Sequence, residues 1–260
     1  DSDAVLLIGT GLTAIDVATT LGRTGRRITA VSRHGLVPAV HTVCPRAPMR
    51  HDAMPATLPA LRRYLHGRIA VALATTGDWR PAVDGVRPHA QRLWQSLDHR
   101  DRREFLRHDR RRWEAARHRM APRVAAAVAE MRASGRLTIA TGDAASAIVA
   151  ADAATWIVNA TGPDADLARS RDPLLRALFA AGTVRPGPLA IGLATRGPGH
   201  LLDGRGNAVP GLWTLGCTRR GDLWETTAIP EIRDQAQQVA EHIDRALAPA
   251  RDRVLVAMEG

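Results

Sequence analysis

The chain has 260 residues, enough to bury a sizeable core in one large domain or two modest ones. It contains no apolar run of about eighteen residues, and its first residues lead into a predicted strand rather than a signal peptide, so we expect no membrane segment. The two cysteines form neither a CxxC pair nor a disulfide framework, which favours a cytoplasmic protein.

The net charge of +10 does not by itself indicate a nucleic-acid-binding protein. All 36 basic residues are arginine, which suggests a coding bias, and acids are interleaved with them in residues 99–123. Interleaved charges are typical of a solvated helix with i,i+4 ion pairs. Aromatic side chains, which stack on bases, make up only 3% of the chain. We therefore expect a small-molecule substrate and no nucleic-acid partner.

The first predicted element is a strand at residues 5–8, an apolar run typical of a parallel strand buried on both faces. It leads into GTGLTA, residues 9–14, which fits the motif G-x-G-x-x-G/A. In this motif the first glycine allows a tight turn, the second lets the backbone approach a pyrophosphate, and the small third residue lets the helix pack closely on the strand. The following helix would direct its first N–H groups at the phosphates and pack Leu12, Ile15, Ala18 and Leu21 on the sheet. The predicted cofactor-binding residues are Gly9, Thr10, Gly11, Leu12, Thr13 and Ala14.

A second strand is predicted at residues 27–31, and Ser32 and Arg33 follow it. An acid at this place would bind the adenosine ribose and repel a 2′-phosphate, whereas a serine followed by an arginine does the reverse. The sequence therefore favours NADP over NAD, with Ser32 and Arg33 as cofactor-binding residues. The alternative is that Arg33 is one more solvated arginine.

Residues 36–60 are predicted to be irregular, and a helical block follows from about 61 to 134. The helical block is broken at Gly77-Asp78, Arg87-Pro88 and Ala121-Pro122, and it ends at Gly135. Short strands are then predicted at residues 137–140, 147–149 and 156–160. This order predicts an α/β fold in which a Rossmann-like nucleotide-binding sheet is interrupted by a helical insertion.

Three later motifs resemble parts of two-dinucleotide flavoproteins, in the same order along the chain. WIVNATGP, residues 156–163, resembles the crossover from an NADPH domain back to an FAD domain. VPGLWTLG, residues 209–216, resembles the strand before the flavin ribityl chain, and residues 225–243 resemble the helix that points its N-terminus at the isoalloxazine ring. The residues that this resemblance implies in cofactor binding are Thr161, Gly162, Gly216, Ala228 and Ile229.

The chain is further identified as similar to the YdhS-like family of FAD/NAD(P)-binding proteins, through GTGLTAIDV, SRHGLVP, RHRMAPRVA, NATGP and RGDLWETTAIPEIRDQA. Members of that family carry an additional N-terminal segment with a glycine-rich loop for FAD. The resemblance therefore implies the C-terminal portion of a longer protein that lacks this segment. It implies an NAD(P)-binding domain at residues 1–160, with the helical insertion at about 61–134, and the C-terminal part of an FAD-binding domain at residues 161–260.

The resemblance implies a flavin-dependent oxidoreductase in which NADPH reduces FAD and the electrons pass to dioxygen or another acceptor. A monooxygenase-like reaction is one version of this function. The alternative is a noncatalytic NADP-binding or regulatory module. No catalytic residue is assigned. The histidines do not occur in HExxH spacing and the cysteines do not occur in CxxC spacing, so we expect no metal site. Cys217 stands where related flavoproteins have an aspartate, and we expect it to be buried. Glu225 is interpreted as an acid at a helix start.

Overall fold

The computed structural model describes residues 4–143 and 154–258, with side chains up to residue 247. The strand predicted at residues 147–149 lies outside the described residues. The chain forms two compact units, each of which has its own internal contacts. The first unit comprises residues 1–86 and 101–163, and the second comprises residues 87–100 and 164–260.

The first unit is built on a parallel sheet of four strands: β1 Ala4–Ile8, β2 Arg27–Ser32, β3 Leu137–Thr141 and β4 Trp156–Asn159. Their spatial order is β3-β2-β1-β4. Leu7 in β1 lies opposite Ala30 in β2 and opposite Val158 in β4. The sheet and the helices around it confirm the predicted mixed α/β class.

The helices between β1 and β3 are short, apart from one of 19 residues. Their bounds are α1 Leu12–Gly22, α2 Leu58–Thr76, α3 Arg80–Asp84, α4 Ala90–Ser96, α5 His99–Glu104, a π-helical turn Phe105–Asp109, α6 Arg110–Arg117 and α7 Pro122–Ala133. Two predicted breaks coincide with element ends. Gly77 ends α2 in a left-handed conformation with φ +68°, and Pro122 is the first residue of α7.

Helices α1 and α7 pack on one face of the sheet. The α1 residues Ala14, Ile15 and Ala18 are buried against β1 and β2, in a cluster that also contains Leu7. Burial of each large aliphatic side chain of this kind stabilises the fold by about 1.5–3 kcal/mol. The prediction that Leu12 packs on this face is wrong, since Leu12 is 37% exposed. As the first residue of α1 it lies at the end of the strands and lines a cleft there.

Two of the acids among residues 99–123 bind helix α2. Asp101 Oδ2 accepts a hydrogen bond from the backbone N–H of Leu58, 2.7 Å away, and so caps the start of α2. Asp109 accepts from Arg62 Nε at 3.1 Å, and this contact raises the pKa of Arg62 above its ordinary value. Asp101 and Asp109 therefore make tertiary contacts with α2, rather than the i,i+4 pairs expected of a solvated helix.

The second unit contains a three-stranded antiparallel sheet and two further helices. The strands are β5 Thr195–Arg196, β6 His200–Leu202 and β7 Ala208–Trp213, and the helices are Pro173–Ala180 and Ile229–Met258. Residues 87–100 join this unit through side-chain contacts. Arg87 makes a two-point ion pair with Glu231 at 2.7 and 2.9 Å, and Trp94 Nε1 donates to the carbonyl of Gly221 at 2.8 Å.

Two histidines connect the small sheet to the long helix of the second unit. His200 Nε2 and His242 Nε2 are 2.8 Å apart, so a single proton lies between them. The ring of Trp213 packs beside His200 with a centroid separation of 4.8 Å. Burial lowers the pKa of His200 below its ordinary value, and the neighbouring His242 lowers it further. His200 is accordingly neutral near pH 7.

Among the helices of the described residues, none combines the length and the apolar character needed to cross a bilayer.

Candidate functional site

A cleft of about 400 Å³ lies at the carboxyl ends of the strands in the first unit. Strand β1 has β2 on one side and β4 on the other. The chain adds β2 and β3 on one side of β1 and then returns to add β4 on the opposite side, so the strand order reverses at β1. Open parallel sheets bind ligands at such a point because the loops diverge there and leave a crevice. The cleft is lined by residues 8–13, 31–34, 110–111, 114, 142–143 and 160–162.

Gly9 makes the turn that follows β1. Its φ is +115°, a conformation that residues with a Cβ rarely adopt, and an added Cβ would lie 2.6 Å from the carbonyl oxygen of Ala160. Its N–H donates to the carbonyl of Val31 at 2.8 Å. Gly9 therefore permits both the turn and the close approach of the chain after β4.

Gly11 occupies the N-cap position of α1 and has an ordinary φ of −77°. An added Cβ at Gly11 would meet only ordinary van der Waals contacts within the protein. The groups nearest to an added Cβ are the Nη1 and Nη2 atoms of Arg111, 3.8 and 3.9 Å away. No side chain caps α1 and its first turn carries no acid, so its first N–H groups have no capping side chain.

Thr10 and Ser32 hold the glycine turn to the loop after β2. Thr10 is 1% exposed, and its hydroxyl donates to the carbonyl of Leu36 at 2.6 Å. Since that bond uses the only hydroxyl proton of Thr10, the 2.9 Å contact with Ser32 Oγ must be donated by Ser32. Ser32 Oγ in turn accepts from the N–H of Gly35 at 3.1 Å. The hydroxyl proton of Ser32 is thus already used within the protein.

Arg33 is exposed and lines the cleft. Within the described part of the chain, its guanidinium has no ion pair or hydrogen bond. Thr161 and Gly162 line the same cleft from the end of β4. The N–H and hydroxyl of Thr161 both donate to Asn159 Oδ1, at 3.1 and 2.7 Å, which fixes this turn. The structure therefore brings together predicted residues that are about 130 positions or more apart in sequence.

Most of the predicted glycine-loop residues line the cleft, but one does not. Leu12 and Thr13 contribute to its wall together with Gly9, Thr10 and Gly11. Ala14 is 1% exposed and lies in the core instead. Its small side chain there permits the close packing of α1 on the sheet, which is the packing role expected of this position in the motif.

Sequence reasoning missed the contribution of α6 to the cleft. Arg110, Arg111 and Glu114 all line it. Arg111 Nη2 donates to the carbonyl of Leu36 at 3.0 Å and to Thr10 Oγ1 at 3.3 Å. The surrounding sequence is so rich in arginine that no local pattern distinguishes Arg111 from its neighbours.

In the second unit, the predicted residue Gly216 is buried and has φ +74°. Its N–H donates to Gln235 Oε1 at 3.0 Å. Two polar atoms beside it are buried without a partner among the described residues: Thr226 Oγ1 and Gln235 Nε2. Leaving such an atom unsatisfied costs about 1–3 kcal/mol, so a hydrogen-bonding partner at either atom would be stabilising.

The helix that follows begins at Ile229, which is 80% exposed, and Ala228 immediately precedes it. The interpretation of Glu225 as a helix-start acid is wrong. Glu225 lies four residues before the helix and is 7% exposed, and Glu231 is the acid in the first turn. The expectation that Cys217 is buried is also wrong, because it is exposed in a short 3₁₀ turn.

The fold and the cleft define a mixed α/β protein with a candidate ligand site at the carboxyl edge of a parallel sheet. Comparison with family models, curated proteins and solved structures finds no match for this chain. Within residues 4–143 and 154–247, no group of three or more histidine, cysteine, aspartate or glutamate side chains is arranged to hold a metal ion.

Proposed function

We propose that the first unit is a Rossmann-like domain that binds NADPH in the cleft, with the pyrophosphate against the glycine turn. The observation that carries this proposal is the conformation of Gly9, which has φ +115° and no room for a Cβ at the strand-order reversal. The uncapped start of α1 supports it further, since helix N-termini attract phosphate through their N–H groups and dipole.

The preference for NADPH over NADH rests on Arg33. A guanidinium at the end of the second strand suits a 2′-phosphate, and no acid follows β2 directly to bind a free ribose hydroxyl. Ser32 is a weaker candidate for this role because its hydroxyl proton already goes to Thr10. In this proposal Arg33 alone discriminates between the two cofactors at this strand end.

Exchange of Arg33 for aspartate tests the cofactor preference. We expect R33D to weaken NADPH binding by about 1.5–3 kcal/mol or more, roughly 10- to 150-fold in Kd, because it removes a charge-assisted pair. NADH binding should change little. Calorimetric titration of both cofactors measures this, and R63D, a change of the same charge at an exposed position on α2, is the control. Equal losses for NADPH and NADH would show that Arg33 has a structural role.

We further propose that the chain belongs to a YdhS-like flavoprotein oxidoreductase and that the second unit contributes the ribityl and ring side of an FAD site. The residues fit such a group. Gly216 leaves space beside a turn of positive φ, and Thr226 Oγ1 and Gln235 Nε2 are buried polar atoms in need of partners. With both cofactors bound, hydride transfer from nicotinamide to flavin is the chemistry that they supply, and the protein positions them.

Thr226→Val tests the flavin assignment, because it removes an unpartnered hydroxyl with little change in shape. In the protein without ligand we expect no loss of stability in thermal unfolding, since no hydrogen bond is lost. In flavin fluorescence titrations we expect FAD binding to weaken about 2- to 10-fold, because a hydrogen bond to the ligand is lost. Thr227→Val, at the exposed neighbouring position, is the matched control.

A lower melting temperature for Thr226→Val would mean that the hydroxyl has a protein partner, and unchanged FAD affinity would mean that it does not face the flavin. A cytoplasmic location is part of the proposal. It is supported by Cys44 and Cys217, which are free and exposed as is ordinary in a reducing compartment.

A further inference from the structure

Arg111 places a positive charge directly over the glycine turn of the first unit. Its guanidinium nitrogens Nη1 and Nη2 are the atoms closest to the position that a Cβ of Gly11 would take, at 3.8 and 3.9 Å. That is the side of Gly11 left open by its missing side chain. It is also the side from which a pyrophosphate approaches in the dinucleotide-binding motif. The Arg111 guanidinium therefore lies where the phosphates of a dinucleotide would bind, rather than on the outer surface of α6.

The guanidinium is held in place but retains donors for a ligand. Both of its hydrogen bonds, to the carbonyl of Leu36 and to Thr10 Oγ1, are made by Nη2. The N–H groups on Nε and Nη1 find no acceptor among the described residues. A half-buried arginine with one fixed nitrogen and free donors has lost part of its side-chain entropy before a ligand binds.

We propose that Arg111 is a pyrophosphate-binding residue, which holds the phosphates of the dinucleotide at the glycine turn together with the N–H groups of α1. This inference rests on the proposed nucleotide-binding function. The guanidinium and the helix N-terminus then both neutralise the same phosphates. The helical segment, which the sequence identifies only as an insertion, thereby completes the cofactor site.

The proposed roles of Arg111 and Arg33 have different signatures. The pyrophosphate is common to NADPH, NADH and ADP-ribose, so the loss of Arg111 weakens the binding of all three. The 2′-phosphate is present in NADPH alone, so the loss of Arg33 weakens only NADPH. Adenosine carries neither group and serves as a ligand that depends on neither arginine.

The experiment compares the dissociation constants of these four ligands for wild type, Arg111→Met and Arg111→Lys by calorimetric titration. We expect Arg111→Met to weaken NADPH, NADH and ADP-ribose about tenfold or more and by similar factors, with adenosine unchanged. Arg111→Lys, which keeps the charge without the planar fork, should restore part of the affinity. Arg112→Met removes the same charge from the exposed neighbouring position and should leave all four constants unchanged.

Unchanged or tighter binding of all three phosphorylated ligands by Arg111→Met would overturn the proposal, as would a loss confined to NADPH. Thermal melting of each variant checks that the Leu36 loop remains folded, and Arg111→Lys provides the comparison if Arg111→Met melts early. A wild-type protein that binds none of the nucleotides would overturn the NADPH-binding function itself. Wild-type binding that Arg111→Met leaves intact would overturn only the role of Arg111.

Discussion

Gly9→Ala is expected to destabilise the first unit by about 2–5 kcal/mol and to weaken NADPH binding at least tenfold. The added methyl group would lie 2.6 Å from the carbonyl oxygen of Ala160, well inside van der Waals contact, and φ at this position is +115°. Overpacking of this kind costs about 1–3 kcal/mol, and a left-handed conformation costs a further 1–2 kcal/mol in a residue with a Cβ. Because Ala160 also lines the cleft, the shift that relieves the clash would distort the proposed nucleotide site.

Urea unfolding and NADPH titration measure the two effects of Gly9→Ala. Gly25→Ala is the matched control, since Gly25 also has a positive φ of +77° but no atom lies within 4 Å of its added Cβ. It should show only the conformational cost and bind NADPH normally. If Gly9→Ala is no less stable than Gly25→Ala, the close approach between Gly9 and the chain after β4 is not a feature of the folded protein.

Asp84→Ala is expected to destabilise the first unit by about 3 kcal/mol or more. The side chain of Arg119 is 3% exposed and its two terminal nitrogens bind Asp84 at 2.8 and 3.0 Å. Removal of one member of a fully buried ion pair typically costs about 3–5 kcal/mol, because it leaves the other charge without compensation. The cost here lies at the low end of that range, because Asp84 is 28% exposed and Arg119 Nε keeps its hydrogen bond to the carbonyl of Ala116 at 2.7 Å. The ring of Trp79, 5.0 Å from the Arg119 guanidinium carbon, offsets a part of this cost.

Two further variants test the origin of the Asp84 effect in urea unfolding. Asp84→Ala combined with Arg119→Met should recover part of the lost stability, since no charge then remains buried. Glu130→Ala breaks a pair with Arg136 in which the Glu130 side chain is 72% exposed, and should cost less than about 1 kcal/mol. Equal effects of Asp84→Ala and Glu130→Ala would contradict the assignment of a buried pair.

The opening strand, turn and helix could be predicted because their signals are local. The apolar run of β1 reflects burial on both faces of a sheet, and Gly9 reflects a backbone angle that other residues rarely adopt. The breaks at Gly77 and Pro122 follow from the same kind of backbone restriction. Each of these features depends on a residue and its immediate neighbours in sequence.

The errors concern side chains whose surroundings come from elsewhere in the chain. Glu225 is predicted to be the acid at the start of the last helix. This helix begins at Ile229 instead, and the acid in its first turn is Glu231. Cys217 is small and lacks a partner cysteine, which favours burial, but it lies on an exposed turn. Leu12 matches the apolar spacing of α1, yet the helix begins where the sheet ends and leaves this side chain at the cleft.

By itself, the sequence determined the α/β class and the glycine turn, together with the presence of an arginine directly after β2. Only the tertiary structure decided which groups meet at the cleft: the hydroxyl proton of Ser32 is used by Thr10, and Arg111 approaches Gly11 from 100 positions away in sequence. The physical reason is that backbone angles and strand burial are encoded by neighbouring residues. Which arginine among many lies beside the glycine turn depends on how helices pack, and that is decided by contacts between distant segments.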